Sequence, residues 1–150
     1  MSETVHATAV LVGADGVLIR GPSGSGKSSL AFRLIERGAR LVGDDRVHLS
    51  ACHGRILATG HAAIGGRLEL RGRGLIAVPQ ERSALVRLIV DIVEEGGLER
   101  LPEHTQLECV LLGVTLPRQP VSTIPDRAEA LVSAALQALS RRSNMGLRSA

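Results

Sequence analysis

Short apolar runs, separated by glycine, proline and charged residues, alternate along this chain with two segments of helical periodicity. Five runs predict strands, at residues 5–12, 17–19, 40–43, 85–93 and 107–116. Apolar positions three and four residues apart predict helices at residues 28–37, stopped by Gly38, and from Pro125 to about Arg142. Alternation over residues 46–58, around His53 and Gly54, predicts a hairpin. The pattern therefore predicts an α/β fold, with a central mixed β-sheet and flanking helices in one compact domain covering residues 1–150.

Two segments lack a clear period. Gly65, Gly66, Gly72 and Gly74 predict a loop-rich middle that carries residues 68–71. The last eight residues, 143–150, are expected to be frayed or used in assembly.

Composition limits the function classes. With 150 residues and 44% apolar content, the chain can bury one respectable core. No apolar run reaches the ~18 residues that would span a bilayer, and the N-terminus has no charged start followed by an apolar stretch. Two cysteines, Cys52 and Cys109, are too few and too far apart for a disulfide framework. We therefore expect a cytoplasmic protein with no membrane partner.

The charge pattern argues against nucleic acid as a partner. The net charge is +3, but the arginines are scattered, and Phe32 is the one aromatic residue of the chain. Single-stranded nucleic acid is bound on platforms of several aromatic rings. The same composition means that no Tyr or Trp can sandwich a nucleotide base, so we expect phosphates to dominate nucleotide affinity and base selectivity to be loose.

One segment carries a specific phosphate-binding pattern. The chain has a single lysine beside seventeen arginines, and Lys27 lies in a match to G-x-x-x-x-G-K-[ST]. A compact ammonium can reach between two phosphate groups that a planar guanidinium cannot enter in the same way. A strand before the loop and a helix after it would place the phosphates on backbone amides and on the positive end of the helix dipole. The predicted nucleotide site is Gly21, Pro22, Ser23, Gly24, Ser25, Gly26, Lys27 and Ser28.

Acidic residues follow at a spacing that suits phosphoryl transfer. Ser28 is placed to coordinate Mg²⁺ at the terminal phosphates. Asp44 and Asp45 come 17 and 18 residues after Lys27, at the end of a predicted strand. Adjacent carboxylates there point in different directions, so one can face Mg²⁺ and the other can accept the proton of the acceptor. A helix cap or a solvated turn is the alternative interpretation of this pair.

Other candidate residues are less specific. Glu69 and Arg71 suit a metal-directed carboxylate beside a phosphate-directed guanidinium, although a surface salt bridge fits the spacing equally well. The set His48, Cys52, His53 and His61 lacks a zinc spacing, so ordinary surface histidines are favoured. A lone strand histidine such as His6 is more often structural than catalytic.

Three segments in order resemble the HPr kinase/phosphorylase family, bacterial enzymes that phosphorylate a serine of the phosphocarrier protein HPr and reverse the reaction. They are His6 ahead of the phosphate loop, residues 37–45 (RGARLVGDD), which resemble R-G-x-R-L-V-A-D-D with Gly43 replacing alanine, and residues 68–76 (LELRGRGLI), which resemble L-E-I-R-G-x-G-I-I. The resemblance runs over nearly the whole chain, as a short form consisting of the catalytic domain.

This resemblance implies an ATP-dependent protein serine kinase with ATP and Mg²⁺ as cofactors. Lys27 would hold phosphate, Ser28 and Glu69 would be Mg²⁺ ligands, and Asp44 or, more in line with the family, Asp45 would exchange the proton with help from His6. The chain is shorter than family members between residues 78 and 85, where Arg82 takes the position of the family's arginine. The partner would be HPr or its nitrogen-branch relative, and family members assemble as hexamers, so an oligomer is expected.

The resemblance also implies the reverse reaction, in which inorganic phosphate attacks and pyrophosphate leaves. The late loop for dephosphorylation, residues 116–121 (LPRQPV), keeps proline and arginine in an altered order, so the expectation of reverse activity is weaker than that of kinase activity. The rival interpretations are a small-metabolite kinase of the shikimate-kinase type and a non-catalytic ATP sensor. A GTPase switch would need N-K-x-D, which a chain whose one lysine lies in the phosphate loop cannot supply.

Overall fold

The computed structural model describes the backbone of residues 1–61 and 66–149 and, within these ranges, the side chains up to residue 142. A mixed sheet and two α-helices make up most of this part of the chain. The strands are β1 Ser2–Val5, β2 Thr8–Val12, β3 Asp15–Arg20, β4 Arg40–Gly43, β5 Val47–Cys52, β6 Arg55–Gly60, β7 Arg67–Leu70, β8 Gly74–Ala77, β9 Ser83–Ile92, β10 Glu108–Leu111 and β11 Val114–Val121. The α-helices are α1 Lys27–Glu36 and α2 Pro125–Ser149, and 3-10 turns lie at Glu95–Gly97 and His104–Leu107.

The long strand β9 organises the sheet. It pairs antiparallel with β6 through residues 83–85 and parallel with both β3 and β11. Strand β2 lies between β3 and β4 and is antiparallel to both, so β4 runs in the direction of β3. The carboxyl ends of β3, β4, β9 and β11 therefore lie toward one edge of the sheet, where open α/β sheets bind ligands. The predicted mixed α/β sheet with flanking helices is confirmed.

The two faces of the sheet bury different partners. Val17 and Ile19 of β3 pack against α1 and α2, whereas Leu18, between them, packs toward the β5–β6 side. This is the alternation that a strand with both faces covered requires. Helix α1 buries Leu30, Ala31, Leu34 and Ile35 on the first face. Each fully buried Leu or Ile contributes ~1.5–3 kcal/mol, and this packing fixes the start of α1 relative to the end of β3.

A close backbone approach joins β4 to β6 beside the acidic pair. A Cβ on Gly60 would lie 2.1 Å from the carbonyl oxygen of Val42, and one on Gly43 would lie 2.9 Å from Cα of Gly60. Real Cβ atoms do not approach other heavy atoms this closely, so both positions require glycine unless the strands separate. Gly43, which replaces the family's alanine, therefore has a structural reason in this chain.

Three predicted elements differ in detail. The run at residues 5–12 is broken at His6, because β1 pairs with β5 while β2 pairs with β3. The run at residues 107–116 forms two strands, since Leu112 and Gly113 adopt positive φ (48° and 77°) and close a two-residue hairpin. Pro117 does not end it, because β11 leaves β10 there and continues along β9 to Val121. Residues 116–121, expected to be a loop, thus form a strand.

The middle and the end of the chain are more regular than predicted. Residues 67–77 form the β7–β8 hairpin instead of a loop. Helix α2 continues past Arg142 to Ser149; Gly65, Ala150 and the side chains of residues 143–149 lie outside the described residues. No helix in the described ranges is long and apolar enough to span a bilayer.

Candidate active site

The phosphate loop connects β3 to α1 as the sequence predicted. Gly24 and Gly26 have φ of 78° and 104°, a region that side chains with a Cβ disfavour. Gly26 is the N-cap of α1 and supplies no side-chain cap, and the first turn carries no acidic residue. The first N–H groups of α1 therefore keep their capacity to bind an anion.

Lys27 is held in place before any ligand arrives. Its side chain is buried, and Nζ donates hydrogen bonds to the carbonyl oxygens of Gly21 (2.8 Å) and Pro22 (3.0 Å). An ammonium in this position lies inside the curve of the loop and faces the anion that the loop would wrap. The arrangement agrees with the predicted phosphate-holding role.

Asp44 is the hub of a buried polar network at the end of β4. Its Oδ1 accepts hydrogen bonds from the hydroxyls of Thr8 (2.9 Å) and Ser28 (3.0 Å), and its Oδ2 accepts one from the backbone N–H of Glu69 (3.2 Å). The carboxylate thus ties together β2, α1 and β7. It also lies beside the hydroxyl that was predicted to bind Mg²⁺.

The carboxylate of Asp45 has a different partner from that of Asp44. Its φ of 69° places it in the left-handed region, and its Oδ1 lies 3.1 Å from Nδ1 of His6. Both side chains are more than half exposed, at 59% for Asp45 and 55% for His6. The change of backbone conformation between residues 44 and 45 is the physical reason why the adjacent carboxylates have different environments.

A cavity of about 540 Å³ contains these groups. It is lined by the loop, the acidic pair and the β7–β8 hairpin, and its lining includes His6, Thr8, Ser23, Lys27, Ser28, Asp44, Asp45, Glu69 and Arg71. Ser28, Asp44 and Glu69 offer only oxygen atoms, which suits Mg²⁺ together with water and phosphate oxygens. The donor set therefore fits this ion.

Arg71 lies over the phosphate loop. Its Nη2 is 4.0 Å from the point that a Cβ on Gly24 would occupy. Within the described part of the chain, no ion pair joins Arg71 to Glu69. The guanidinium is thus placed to face an anion in the loop.

Arg82 is the one predicted site residue that the structure places elsewhere. It is exposed just before β9 and lines a separate cavity of about 200 Å³ with Gln80, Glu81 and Arg67. Of the acidic pair, only Asp44 borders both cavities. The structure therefore does not bring Arg82 into the phosphate-loop cavity.

The histidine and cysteine residues of the β5–β6 hairpin do not gather into one cluster. Nδ1 of His48 lies 3.4 Å from the hydroxyl oxygen of Thr4. Cys52 and His53 contact each other at the turn, where Sγ of the cysteine lies 2.9 Å from Nδ1 of the histidine. Among the described residues, no group of three or more His, Cys, Asp or Glu side chains is arranged to hold a metal ion.

The sequence argument missed two features. The first is Thr8, whose hydroxyl is fully buried. A polar residue in the otherwise apolar strand β2 was the signal that could have indicated a buried hydrogen bond there. The second is Asp91 in β9, which accepts two hydrogen bonds from Arg20 (2.7 and 2.8 Å) and one from Arg118. No spacing rule links these three residues, because the pairing of β3, β9 and β11 brings them together.

The Asp91 cluster lies on the sheet face opposite α1. Burial alone would raise the pKa of Asp91, but the hydrogen bonds and charges of Arg20 and Arg118 outweigh it and hold the pKa below its ordinary value. Chiefly through the Asp91 hydrogen bond, the pKa of Arg20 is raised. Burial raises the pKa of the neighbouring Cys109 thiol. Because Arg20 directly precedes Gly21, this cluster anchors the base of the phosphate loop.

A glycine loop between a parallel strand and a helix, with a carboxylate contacting the loop serine, defines a P-loop protein. The family described as HPr serine kinase C-terminal domain matches residues 1–150. The chain belongs to this family.

Named relatives agree. The HPr kinase/phosphorylase of Treponema pallidum (strain Nichols) is 35% identical over 136 residues, which cover 82% of this chain and 42% of that protein. The HPr kinase/phosphorylase of Clostridium perfringens (strain 13 / Type A) is 32% identical over 151 residues, covering 94% of this chain and 49% of that protein. The chain spans about half the length of the curated relatives it matches.

A solved structure also resembles this chain. The Hpr(Ser) kinase/phosphatase from Coxiella burnetii superposes with a TM-score of 0.77 at 26% identity, covering 92% of this chain and 99% of that one. The resemblance to the HPr kinase family in the three sequence segments is thus confirmed at the level of family and fold.

Proposed function

We propose that this protein is an ATP- and Mg²⁺-dependent protein serine kinase whose acceptor is a seryl residue of HPr or of an HPr-like phosphocarrier. One observation carries the proposal beyond family membership. Asp44 and Asp45 are adjacent in sequence, yet one is buried against Ser28 and the other faces the open cavity beside His6. This is the division that transfer to a hydroxyl acceptor needs.

On the nucleotide side, the loop amides and Lys27 hold the terminal phosphates, while Ser28, Asp44 and Glu69 supply the oxygen ligands. When bound there, Mg²⁺ neutralises charge that develops on the transferred phosphoryl group. Arg71, over the loop, adds a guanidinium that can donate hydrogen bonds to the phosphoryl oxygens as that charge develops.

On the acceptor side, Asp45 takes the proton of the seryl hydroxyl as its oxygen bonds to phosphorus. His6 holds the carboxylate in position at 3.1 Å. In the reverse direction, the protonated Asp45 returns its proton to the seryl oxygen while inorganic phosphate takes the phosphoryl group, which yields serine and pyrophosphate. Assembly into an oligomer, by family resemblance a hexamer, belongs to the same proposal.

A small-metabolite kinase is not favoured. Such kinases continue into helices after the acidic segment, whereas residues 47–60 of this chain form the β5–β6 hairpin.

Incubating the purified protein with ATP, Mg²⁺ and each candidate carrier, and mapping the product by mass spectrometry, tests the substrate class. We expect one phosphate on one serine of HPr or of its nitrogen-branch relative. Transfer to neither carrier would contradict the proposal, and turnover with a small alcohol instead would favour the metabolite kinase.

Replacing the acceptor-facing carboxylate tests the mechanism. Asp45→Asn should lower the transfer rate by ~10²–10⁴-fold, the usual contribution of general base catalysis, with ATP affinity unchanged. Asp15→Asn, at the other end of β3, is the matched control and should keep the wild-type rate. A wild-type rate in Asp45→Asn would rule out the proton-transfer role.

A further inference from the structure

A third cavity lies on the opposite side of the phosphate loop from the acidic pair. Its volume is about 230 Å³, and we call it the β11-side cavity. It shares Gly24, Gly26 and Ser29 with the larger phosphate-loop cavity of about 540 Å³, so the two meet over the start of α1. A polyphosphate lying along the loop would therefore reach both.

The position of the β11-side cavity follows from the topology. Ile92 closes β9, and Ser122 and Thr123 follow the end of β11, so the cavity lies outside the carboxyl ends of the strands parallel to β3. Such crevices are where open α/β sheets bind ligands. Leu30 of α1 and Ala128 of α2 complete its wall.

We propose that the β11-side cavity receives the nucleoside part of the nucleotide whose terminal phosphates lie in the phosphate loop, and that it does so without reading the base. The inference rests on the proposed function and adds where the rest of the donor lies. It also assigns Thr123 as a contact of the nucleoside.

The lining explains both halves of the proposal. Hydroxyls from Ser29 and Thr123, which are exposed, can bond ribose oxygens, while Ile92 and Pro125 offer apolar contact to a base. Among the described residues that line the cavity, none carries an amide, a carboxylate or an aromatic ring in its side chain. Strong discrimination between related ligands needs polar groups that the wrong ligand would leave unpaired, and these side chains do not provide them.

The size of the cavity supports a small occupant. Pockets for drug-sized ligands usually begin near ~300 Å³, so about 230 Å³ suits a ribose and part of a base but not a protein loop. The acceptor therefore approaches the wider phosphate-loop cavity, where Asp45 and His6 are exposed.

The absence of Trp and Tyr from the chain gives a direct test. In the Thr123→Trp variant, the new indole is the single strong fluorophore, and the exposed starting residue makes the change tolerable. We expect ATP to change its emission or to bind at least ~5-fold more weakly than to wild type. Tripolyphosphate, which has no nucleoside, should leave the emission unchanged and bind equally to both proteins. The control reporter, Val110→Trp on the exposed face of β10, should respond to neither ligand.

The outcomes separate this inference from the proposed function. If wild-type protein binds neither ATP nor tripolyphosphate by calorimetry, the nucleotide site fails and the inference fails with it. If both ligands bind, but Thr123→Trp responds to neither and keeps wild-type ATP affinity, the nucleoside lies elsewhere and only the inference is overturned. An equal response to ATP and tripolyphosphate overturns it as well.

Base selectivity tests the second half. ATP, GTP, CTP and UTP should bind wild-type protein with affinities within about ten-fold of one another, equivalent to roughly 1.4 kcal/mol. A preference of about a hundred-fold for one base would mean that a polar group reads it, which would overturn that half.

Discussion

Removing the carboxylate of Asp44 tests whether it holds the site together in addition to its proposed role as a Mg²⁺ ligand. In Asp44→Ala, three donors lose their acceptor: the hydroxyls of Thr8 and Ser28 and the N–H of Glu69. Thr8 is fully buried, so its hydroxyl is left without water at a cost of ~1–3 kcal/mol. The other two border the cavity and can bond water, so each loses only ~0.5–1.5 kcal/mol.

The expected total is about 4 kcal/mol of unfolding free energy. At ~2–4 °C per kcal/mol for a chain of this size, the melting temperature should fall by roughly 8–16 °C. Urea unfolding followed by circular dichroism measures the loss without needing tryptophan. Asp45→Asn is the control, and its effect should stay within ~0.5 kcal/mol because its side chain is exposed and Asn accepts a positive φ.

A double-mutant cycle makes the reasoning refutable. Thr8→Val removes the donor whose isolation accounts for most of the expected loss. Added to Asp44→Ala, it should cost little or restore stability, although alone it should destabilise by ~1–2 kcal/mol. Strict additivity, or an Asp44→Ala variant as stable as wild type, would show that the network does not hold the site.

Three further outcomes follow from features away from the acidic pair. The stability that Asp91 adds, measured in urea as wild type minus Asp91→Asn at a series of pH values, should be constant above about pH 5. It should shrink as the pH falls below the ordinary pKa of 3.8, because the unfolded chain then takes up the proton of this carboxyl while the folded protein, whose pKa is lowered, still resists it. A difference that grows with acid would contradict this. Gly60→Ala should lower the free energy of unfolding by ~2–4 kcal/mol, because its Cβ would meet a carbonyl oxygen at 2.1 Å. Gly43→Ala should lower it less, because its Cβ would meet a Cα at 2.9 Å. The reverse order in thermal unfolding would refute these contacts. Iodoacetamide should modify the exposed Cys52 faster than Cys109, because burial raises the pKa of the Cys109 thiol. Mass spectrometry measures the two modification rates, and equal rates would argue against that burial.

The sequence patterns correctly predicted the elements whose structure depends on neighbouring residues. The loop from residue 21 to residue 28, the start of α1 and the β5–β6 hairpin all follow from glycine positions and apolar spacing that lie within a few residues of one another. The prediction that the two aspartates would face different partners likewise needed only the end of a strand.

Elements that depend on residues far along the chain could not be predicted from the sequence. Leu112 in a positive-φ turn looks like one more apolar strand residue, so β10 and β11 were merged. The break at His6 exists because β1 pairs with residues 47–50, far along the chain. Arg82 was placed in the site by resemblance to the family alone, and the path of the chain before β9 carries it to another cavity.

The resting contacts of Lys27 set a condition on which anions can bind. Its ammonium already satisfies two carbonyl oxygens, so an incoming group must compensate for those bonds before any net attraction is gained. A singly charged anion offers little beyond what the loop carbonyls already give the lysine, whereas a chain of phosphates would contact the helix amides and Arg71 together. The resting contacts of Lys27 thereby set a threshold on charge, which disfavours singly charged anions such as chloride and leaves multiply charged phosphate groups able to compete.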